Sequence, residues 1–252
     1  MYSNAYIFRY ATIMVILVAA ILSAAAMLLQ PLKDKNIKID KMQGILQSVN
    51  IEAEKDSTIP SFNEYIVSEL VLDPAGNIIS EYTNGEFVKG DVRAFEIDMK
   101  QQLYLAEQGE DYQLPLFVGM VPLEGSDVRD TLFVVPLYGK GLWGPLWGDI
   151  AVAEDFNEVM GVYFDHKSET PGLGAEINTM PFLQQFYGKK IFDPDGTFVS
   201  VEVVKGGAET LSDEMQIHGV DAISGGTITS KGVSEMLKDC LELYVPFAKK
   251  QI

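Results

Sequence analysis

The sequence has few of the residues that bind metals or form covalent cross-links. It contains one cysteine, Cys240, and two histidines, His166 and His218. A single cysteine cannot form an internal disulfide, and it cannot hold an iron–sulfur cluster or a structural zinc ion alone. We therefore expect no metal site, and we expect packing alone to stabilise the fold.

Basic residues are also scarce. The 252 residues include 19 Lys and Arg against 36 Asp and Glu, which gives a formal net charge of −17 at pH 7. Such a charge repels nucleic acid, so binding of DNA or RNA is not expected. The acidic residues are spread along the chain, as is typical of a solvated surface. The hydrophobic share of 47% is sufficient for a sizeable core.

One long stretch near the N-terminus lacks charge altogether. Residues Tyr10–Leu29 are uncharged, and as a helix they match the roughly 30 Å apolar core of a bilayer. We interpret them as a membrane anchor. A cleaved signal peptide and a buried core helix are the alternatives, although the apolar run is longer than a usual signal core. The lysines that follow favour a cytoplasmic C-terminal side, but this rule weakens when a large domain follows the span.

The rest of the chain predicts an α+β fold, in which helices flank a mostly antiparallel sheet. A helical stalk is predicted over 31–56, with a break at Pro60. The other predicted elements are a short helix running into a strand over 62–72, turns at 73–77 and 83–86, helices over 91–108, 179–187 and the C-terminus, strands over 131–139, 148–155 and 158–165, and a strand–turn–strand over 191–204. We divide the chain into an anchor (1–32), a stalk with the N-terminal part of the soluble domain (33–130) and a C-terminal domain (131–252).

Three glycine-rich motifs stand in the C-terminal half. The first, GKGLWGPLWG (139–148), contains both tryptophans, Trp143 and Trp147. It predicts either a tight connection whose aromatic rings fill the core or a surface that packs on a partner or a flat cofactor. The second, HKSETPGLGAEI (166–177), predicts an irregular loop after a strand, a position where binding groups are often found.

The third motif, DAISGGTITSKGV (221–233), precedes an amphipathic helix that we expect to begin near Ser230. Cys240 lies on the apolar face of this helix, so we assign it to the core. Hydroxyl groups just before a helix N-terminus favour a bound phosphate, because free N–H groups and the helix dipole point there. Simple capping by Thr229 or Ser230 is the alternative. The pattern is not a P-loop, since Lys231 follows the hydroxyl residues.

Together these motifs, behind one membrane span, resemble those of the C subunit of the bacterial sodium-translocating NADH:quinone oxidoreductase. Members of that family carry a GKGLW segment, an H-x-x-ETPGLG loop and a flavin-attachment motif D-x-x-S-G-A-T. Here these correspond to Gly139–Trp143, His166–Gly174 and Asp221–Thr227. The resemblance covers nearly the whole chain. One departure is Gly226, which stands where the family usually has alanine.

The resemblance implies an FMN cofactor joined to Thr227 by a phosphodiester bond, with Thr229 and Ser230 as rival hydroxyls. It implies electron relay between NADH oxidation and reduction of a quinone such as ubiquinone, within a sodium-transporting complex in which this chain is not catalytic alone. The expected partners are the other subunits, a flavin transferase during maturation, and the cytoplasmic membrane, with the soluble domain on its outer side. The other residues expected to form the cofactor site are Asp221, Ser224, Gly225, Gly226, Glu169, Thr170, Leu173 and Gly174. Trp143 and Trp147 are candidates either for this site or for a contact with another subunit.

Two other functions fit the sequence. The G subunit of the Rnf complex shares the loop and attachment motifs, and it would pass electrons between ferredoxin and NAD through the same flavin. In a membrane-anchored binding module without redox chemistry, the three motifs would be ordinary loops. That module would have neither a yellow colour nor a flavin adduct.

Overall fold

The structure is a computed structural model and describes residues 3–122 and 129–251. Three short stretches lie outside the described residues: 1–2 of the predicted anchor, 123–128 of the predicted segment 33–130, and 252 of the predicted C-terminal domain. The chain forms two compact units, 1–41 and 42–252. The second unit contains all of the strands in the described ranges.

The first unit consists of most of helix α1 (Asn4–Ser48), the one helix in the described ranges that is long and apolar enough to cross a membrane. Every side chain from Tyr10 to Leu29 is exposed. A helix buried in the protein's own core is therefore excluded for this stretch. An exposed, uncharged helical surface of this length is typical of a segment that crosses a bilayer.

The second unit contains four further helices and nine strands in the ranges that the structure describes. The helices are α2 (Thr58–Tyr65), α3 (Met99–Glu107), α4 (Met180–Leu183) and α5 (Thr227–Ala248). The strands are β1 (Ile66–Leu72), β2 (Ile78–Thr83), β3 (Glu86–Lys89), β4 (Leu114–Pro122), β5 (Arg129–Lys140), β6 (Pro145–Ala153), β7 (Val159–His166), β8 (Glu202–Val204) and β9 (Gly219–Asp221).

Seven of the described strands form one antiparallel sheet in the order β3-β2-β1-β4-β5-β6-β7, which confirms the α+β prediction. The predicted turn at 73–77 joins β1 to β2, where the N–H of Asp73 donates to the carbonyl oxygen of Asn77 at 2.9 Å. The turn at 83–86 joins β2 to β3. Asn84 and Gly85 have φ of 52° and 87° there, as a tight hairpin turn of this type requires.

Apolar layers cover both faces of the large sheet. Because side chains alternate along a strand, Leu70 and Leu72 of β1 join one buried cluster and Val71 joins the other. Buried side chains of helix α5 belong to the first cluster, and the helix packs mainly on β5. Ile45 and Phe62, from the end of α1 and from α2, belong to the second.

The amphipathic pattern of the C-terminal helix is confirmed. Its apolar positions are all buried, namely Val233, Met236, Leu237, Cys240, Leu241 and Tyr244. Full burial of each large apolar side chain contributes about 1.5–3 kcal/mol. The hydroxyl of Tyr244 donates to the carbonyl oxygen of Pro115 at 2.6 Å, which ties the helix to β4. The helix begins at Thr227 rather than near Ser230, because the N–H of Ser230 already donates to the carbonyl oxygen of Gly226.

Two predicted helices have different bounds. The predicted helix 91–108 is divided into a 3₁₀ turn at Ala94–Glu96 and α3, because Asp98 has an extended backbone and its side chain accepts from the N–H of Lys100. The stalk helix ends at Ser48, before the predicted break. Pro60 lies in the first turn of α2, where a missing N–H costs no helical hydrogen bond.

The predicted strand–turn–strand over 191–204 is only partly correct. Phe192 and Phe198 form an isolated antiparallel bridge around the predicted turn. The last residues form β8, which pairs in parallel with β9 instead of with the segment before the turn. The prediction for 191–204 used neighbouring residues alone, whereas the more distant β9 provides the hydrogen-bond partners of β8.

Candidate functional site

The start of α5 has no side-chain cap. Gly226 occupies the cap position and Thr227 is the first helical residue, with no acidic residue in the first turn. The first N–H groups of a helix have no partner within the helix, and the helix dipole adds partial positive charge there. This end of α5 therefore favours an anionic group beside Thr227.

The four hydroxyl residues of the third motif divide into two exposed and two buried. Ser224 and Thr227 are exposed, whereas Thr229 and Ser230 are each 1% exposed. The Thr229 hydroxyl donates to Oε2 of Glu169 at 2.6 Å, and Oγ of Ser230 accepts from the N–H of Ile223 at 3.1 Å. The two buried hydroxyls thus make hydrogen bonds within the fold, and the accessible hydroxyls are those of Ser224 and Thr227.

The glycines of this motif lie against the loop that follows β7. Gly225 has a φ of 75°, a conformation that L side chains rarely adopt. A Cβ at Gly226 would lie 3.1 Å from Cγ2 of Ile223 and 3.3 Å from the carbonyl carbon of Leu173. An alanine at 226 would therefore require a shift of a few tenths of an ångström, and glycine allows the closer packing found here.

Glu169 connects all three motifs. Its side chain is buried, with an exposed fraction of 5%. Oε1 accepts from the backbone N–H of Trp143 at 2.9 Å, while Oε2 accepts from the Thr229 hydroxyl. The carboxylate therefore lies between the motifs rather than on the open surface beside Thr227.

Two glycines make room for this carboxylate. A Cβ at Gly141 would lie 2.5 Å from Oε1 of Glu169, and a Cβ at Gly174 would lie 2.6 Å from Oε2. Atoms do not approach this closely in real structures, so a methyl group at either position would force its neighbours to shift. The glycines of the first and second motifs thus allow Glu169 to reach the start of α5.

The loop from Thr170 to Gly174 is a compact turn. The N–H groups of Leu173 and Ala175 both donate to the carbonyl oxygen of Thr170, each at 3.1 Å. Thr170 and Leu173 are exposed, whereas Gly174 is buried. The turn therefore presents an apolar side chain at its tip, next to the glycines of the third motif.

The two tryptophans occupy different environments. Trp143 is 65% exposed at the connection between β5 and β6. Trp147 is half-buried within β6, opposite Tyr138 and Asp165 on the neighbouring strands. Other large apolar side chains exposed in the three motifs are Leu142, Leu173 and Ile228. Exposed apolar groups of this kind are able to pack on a flat ring or on a partner protein.

Asp221 ends β9, six residues before Thr227. Its Oδ1 accepts from the N–H of Ala208 at 2.7 Å, and its own N–H donates to Oε1 of Gln185 at 2.8 Å. The aspartate is exposed. These two hydrogen bonds fix the backbone at the start of the third motif, and the Asp221 side chain remains accessible to a second protein.

Sequence reasoning missed two contacts of Glu169. The first is its bond with Thr229, and the second is the bond from its N–H to Nδ1 of His166 at 3.1 Å. The H-x-x-E spacing of the second motif is the one signal in the sequence that could have indicated the contact with His166. Among the described residues, no group of three or more His, Cys, Asp or Glu side chains could hold a metal ion.

Comparison with known proteins gives a consistent result. The FMN-binding domain family matches residues 141–242, which include all three motifs almost entirely. The C subunit of the Na⁺-translocating NADH-quinone reductase of Vibrio anguillarum is 34% identical over 220 residues, covering 84% of this chain and 80% of that protein.

Solved structures agree with the sequence matches. The C subunit of the Na⁺-translocating NADH-quinone reductase from Parabacteroides distasonis superposes with a TM-score of 0.70 at 40% identity, covering 87% of this chain and 96% of that one. NqrC of Shewanella oneidensis gives a TM-score of 0.63 at 25% identity, covering 85% and 99%. The similarity therefore extends beyond the three motifs to most of the chain.

Proposed function

Because the chain belongs to the family formed by the C subunits of Na⁺-translocating NADH-quinone reductases, we propose that it carries electrons in such a complex through FMN joined covalently to Thr227. The match to an FMN-binding domain supports the cofactor. The observation that carries the choice of residue is the difference in exposure among the hydroxyls. Thr227 is exposed at the helix start, while Thr229 and Ser230 are buried and hydrogen-bonded.

The residues at this site fit a flavin phosphate. A phosphodiester on Thr227 would carry a negative charge at the uncapped end of α5, where N–H groups and the dipole favour an anion. Ser224 is the remaining accessible hydroxyl of the motif, but it precedes Gly225 and lies outside the helix. The helix start therefore favours Thr227 over Ser224.

Attachment requires an activated flavin donor. The bond between Oγ of Thr227 and phosphorus forms as a phosphorus–oxygen bond to a leaving group breaks, and a base takes the hydroxyl proton. A flavin dinucleotide supplies such a leaving group, since cleavage of its pyrophosphate releases a nucleoside monophosphate and leaves FMN on the protein. We assign this step to a separate flavin transferase, for which the exposed Asp221 is a recognition group.

The remaining groups of the site hold and shield the cofactor. FMN supplies electron transfer, and the protein tunes its potential through nearby charge and hydrogen bonds. Leu173 and Thr170 are exposed on the turn that contacts the attachment motif, so we assign them to the ring's surroundings. Trp143 is the next candidate, because its exposed side chain belongs to the segment held by Glu169. Glu169 and Gly174 are buried under these exposed residues, and we assign them to holding the residues in place.

The chain depends on partners for the complete reaction. It contains no nucleotide-binding fingerprint for NADH, so NADH oxidation is assigned to other subunits. We propose that α1 anchors the chain in the bacterial cytoplasmic membrane and that the flavin-bearing segment 131–252, which forms one compact unit with residues 42–130, lies on the outer side. The name shared by the relatives reported above favours this complex over the Rnf complex.

Mass spectrometry of one tryptic peptide tests the proposal. Trypsin releases residues 206–231, which contain every hydroxyl of the third motif. The full chain, produced together with a flavin transferase, should give this peptide with an added FMN and fragment ions that place it on Thr227. Thr227→Ala should abolish the adduct, and Ser224→Ala should retain it. A colourless full chain of unmodified mass would contradict the proposal and support the binding module without redox chemistry.

A further inference from the structure

We propose that Glu169 is a positioning residue, which orients the attachment turn so that the Thr227 hydroxyl faces solvent before any flavin is bound. This inference rests on the proposed function of Thr227. It assigns Glu169 a role beneath the cofactor site rather than in contact with the flavin ring.

The carboxylate is fixed by contacts on both oxygens. Oε1 accepts from the backbone N–H of Trp143 and Oε2 from the hydroxyl of Thr229. The backbone N–H of Glu169 in turn donates to Nδ1 of His166, which fixes the residue from the β7 side. A buried carboxylate with these partners has little freedom to move, because each alternative position leaves a buried polar group without a partner.

Helix geometry transmits this restraint to the attachment residue. Successive residues of an α-helix are rotated by about 100°, so residues two positions apart project roughly in opposite directions. Glu169 holds Thr229 toward the protein interior. Thr227, two residues earlier, must then project outward, as its exposure shows.

The same carboxylate brings the loop onto the turn. Gly174 lies close enough for its Cβ position to be 2.6 Å from Oε2, and the neighbouring Leu173 contacts the positions of Gly225 and Gly226. The loop and the helix start are thus packed together around one carboxyl group. Loss of Oε2 as an acceptor should loosen both, while the core of α5 stays in place.

Glu169→Met and Thr229→Val test the hydrogen bond. Methionine keeps the length of the side chain but removes both carboxylate oxygens, and valine removes the hydroxyl while keeping the branched side chain. The full chain is incubated with a flavin transferase and flavin dinucleotide at a temperature where every variant is folded. We expect each variant to acquire FMN on peptide 206–231 more slowly by on the order of ten-fold, since orientation of a reacting group governs such rates.

The double variant shows whether the two residues act through one contact. If they do, Glu169→Met combined with Thr229→Val should be no slower than Glu169→Met alone. Hydrogen exchange on the unmodified full chain provides a readout without flavin. Exchange should increase across 222–230 and stay unchanged across 236–248 in each variant.

Glu69→Met is the matched control. Glu69 is also buried, on β1, where it pairs with Arg93 and accepts from the N–H of Phe95 at 3.0 Å. Its substitution should lower stability without slowing flavin attachment. Attachment at the wild-type rate in Glu169→Met, or equal slowing in Glu69→Met, would overturn the inference. Absence of flavin on the wild-type chain would instead refute the proposed function, and hydrogen exchange would still decide whether Glu169 orders the turn.

Discussion

The hydroxyl of Thr229 donates a 2.6 Å hydrogen bond to Oε2 of Glu169, although the two residues are 60 positions apart in the sequence. Both side chains are buried, so the bond is shielded from water. It joins the loop after β7 to the first turn of α5. The exposed Thr227 and the buried Thr229 therefore lie in different environments despite having the same side chain.

Replacement of Thr229 by valine should destabilise the protein. The substitution leaves Oε2 of Glu169 without its hydroxyl donor, and an unsatisfied buried acceptor costs about 1–3 kcal/mol. Thermal unfolding of the full chain, followed by circular dichroism, measures the change. Thr227→Val is the control and should change the free energy of unfolding by less than about 0.5 kcal/mol, as for ordinary exposed positions. Equal losses in the two variants would contradict this account.

Gly141→Ala should also destabilise the protein. Its added methyl group would lie 2.5 Å from Oε1 of Glu169 and 2.8 Å from Cδ2 of Leu146, both in packed surroundings. Overpacking of this kind costs about 1–3 kcal/mol. Gly144→Ala in the same segment is the matched comparison, because its Cβ would meet Oγ of Ser168 at 3.1 Å, on a side chain that can move. The melting temperature should fall clearly in the first variant and little in the second.

The single cysteine should be unreactive in the folded protein. Burial raises the pKa of the Cys240 thiol to about 12, so the reactive thiolate is essentially absent at neutral pH. Iodoacetamide at about pH 8, near the ordinary thiol pKa, should label the chain only after denaturant is added, as followed by intact mass. Rapid labelling without denaturant would show that this face of α5 is not packed as described.

Asp239 should make stability depend on pH. Asp239 is exposed, but the protein removes part of the water around its carboxyl group. This loss of solvent, together with the nearby carboxylates of Glu235, Glu242 and Glu107, raises the pKa of Asp239 above its ordinary value of 3.8, and Lys238 opposes the shift. The folded state therefore binds the proton more tightly than the unfolded state, and the stabilising contribution of protonation is lost as pH rises through the raised pKa. Asp239→Asn should have a higher melting temperature than wild type at neutral pH.

Two comparisons check this assignment. The difference between Asp239→Asn and wild type should disappear below pH 3.8, where the carboxyl group is protonated in both states. Added salt should reduce the difference at neutral pH, because screening weakens repulsion between carboxylates. Asp111→Asn, at another exposed position, is the control for removal of one negative charge elsewhere. A similar gain at both positions would indicate an effect of net charge alone.

The sequence predicted those features that depend on neighbouring residues. The uncharged run Tyr10–Leu29 identified the exposed apolar part of α1, and steps of three and four identified the buried face of α5. The turn residues at 73–77 and 83–86 correctly marked two hairpins. The same helical pattern placed Cys240 in the core. Each of these depends on a period or a turn preference that acts within a few residues.

Only the tertiary structure decided which hydroxyls are accessible and where Glu169 lies. Ser224, Thr227, Thr229 and Ser230 look alike in the sequence, and their separation into exposed and buried pairs follows from packing against the loop after β7. The pairing of β8 with β9 was likewise absent from the local pattern at 191–204. Contacts between distant segments depend on how elements pack in space, and no short-range periodicity specifies them.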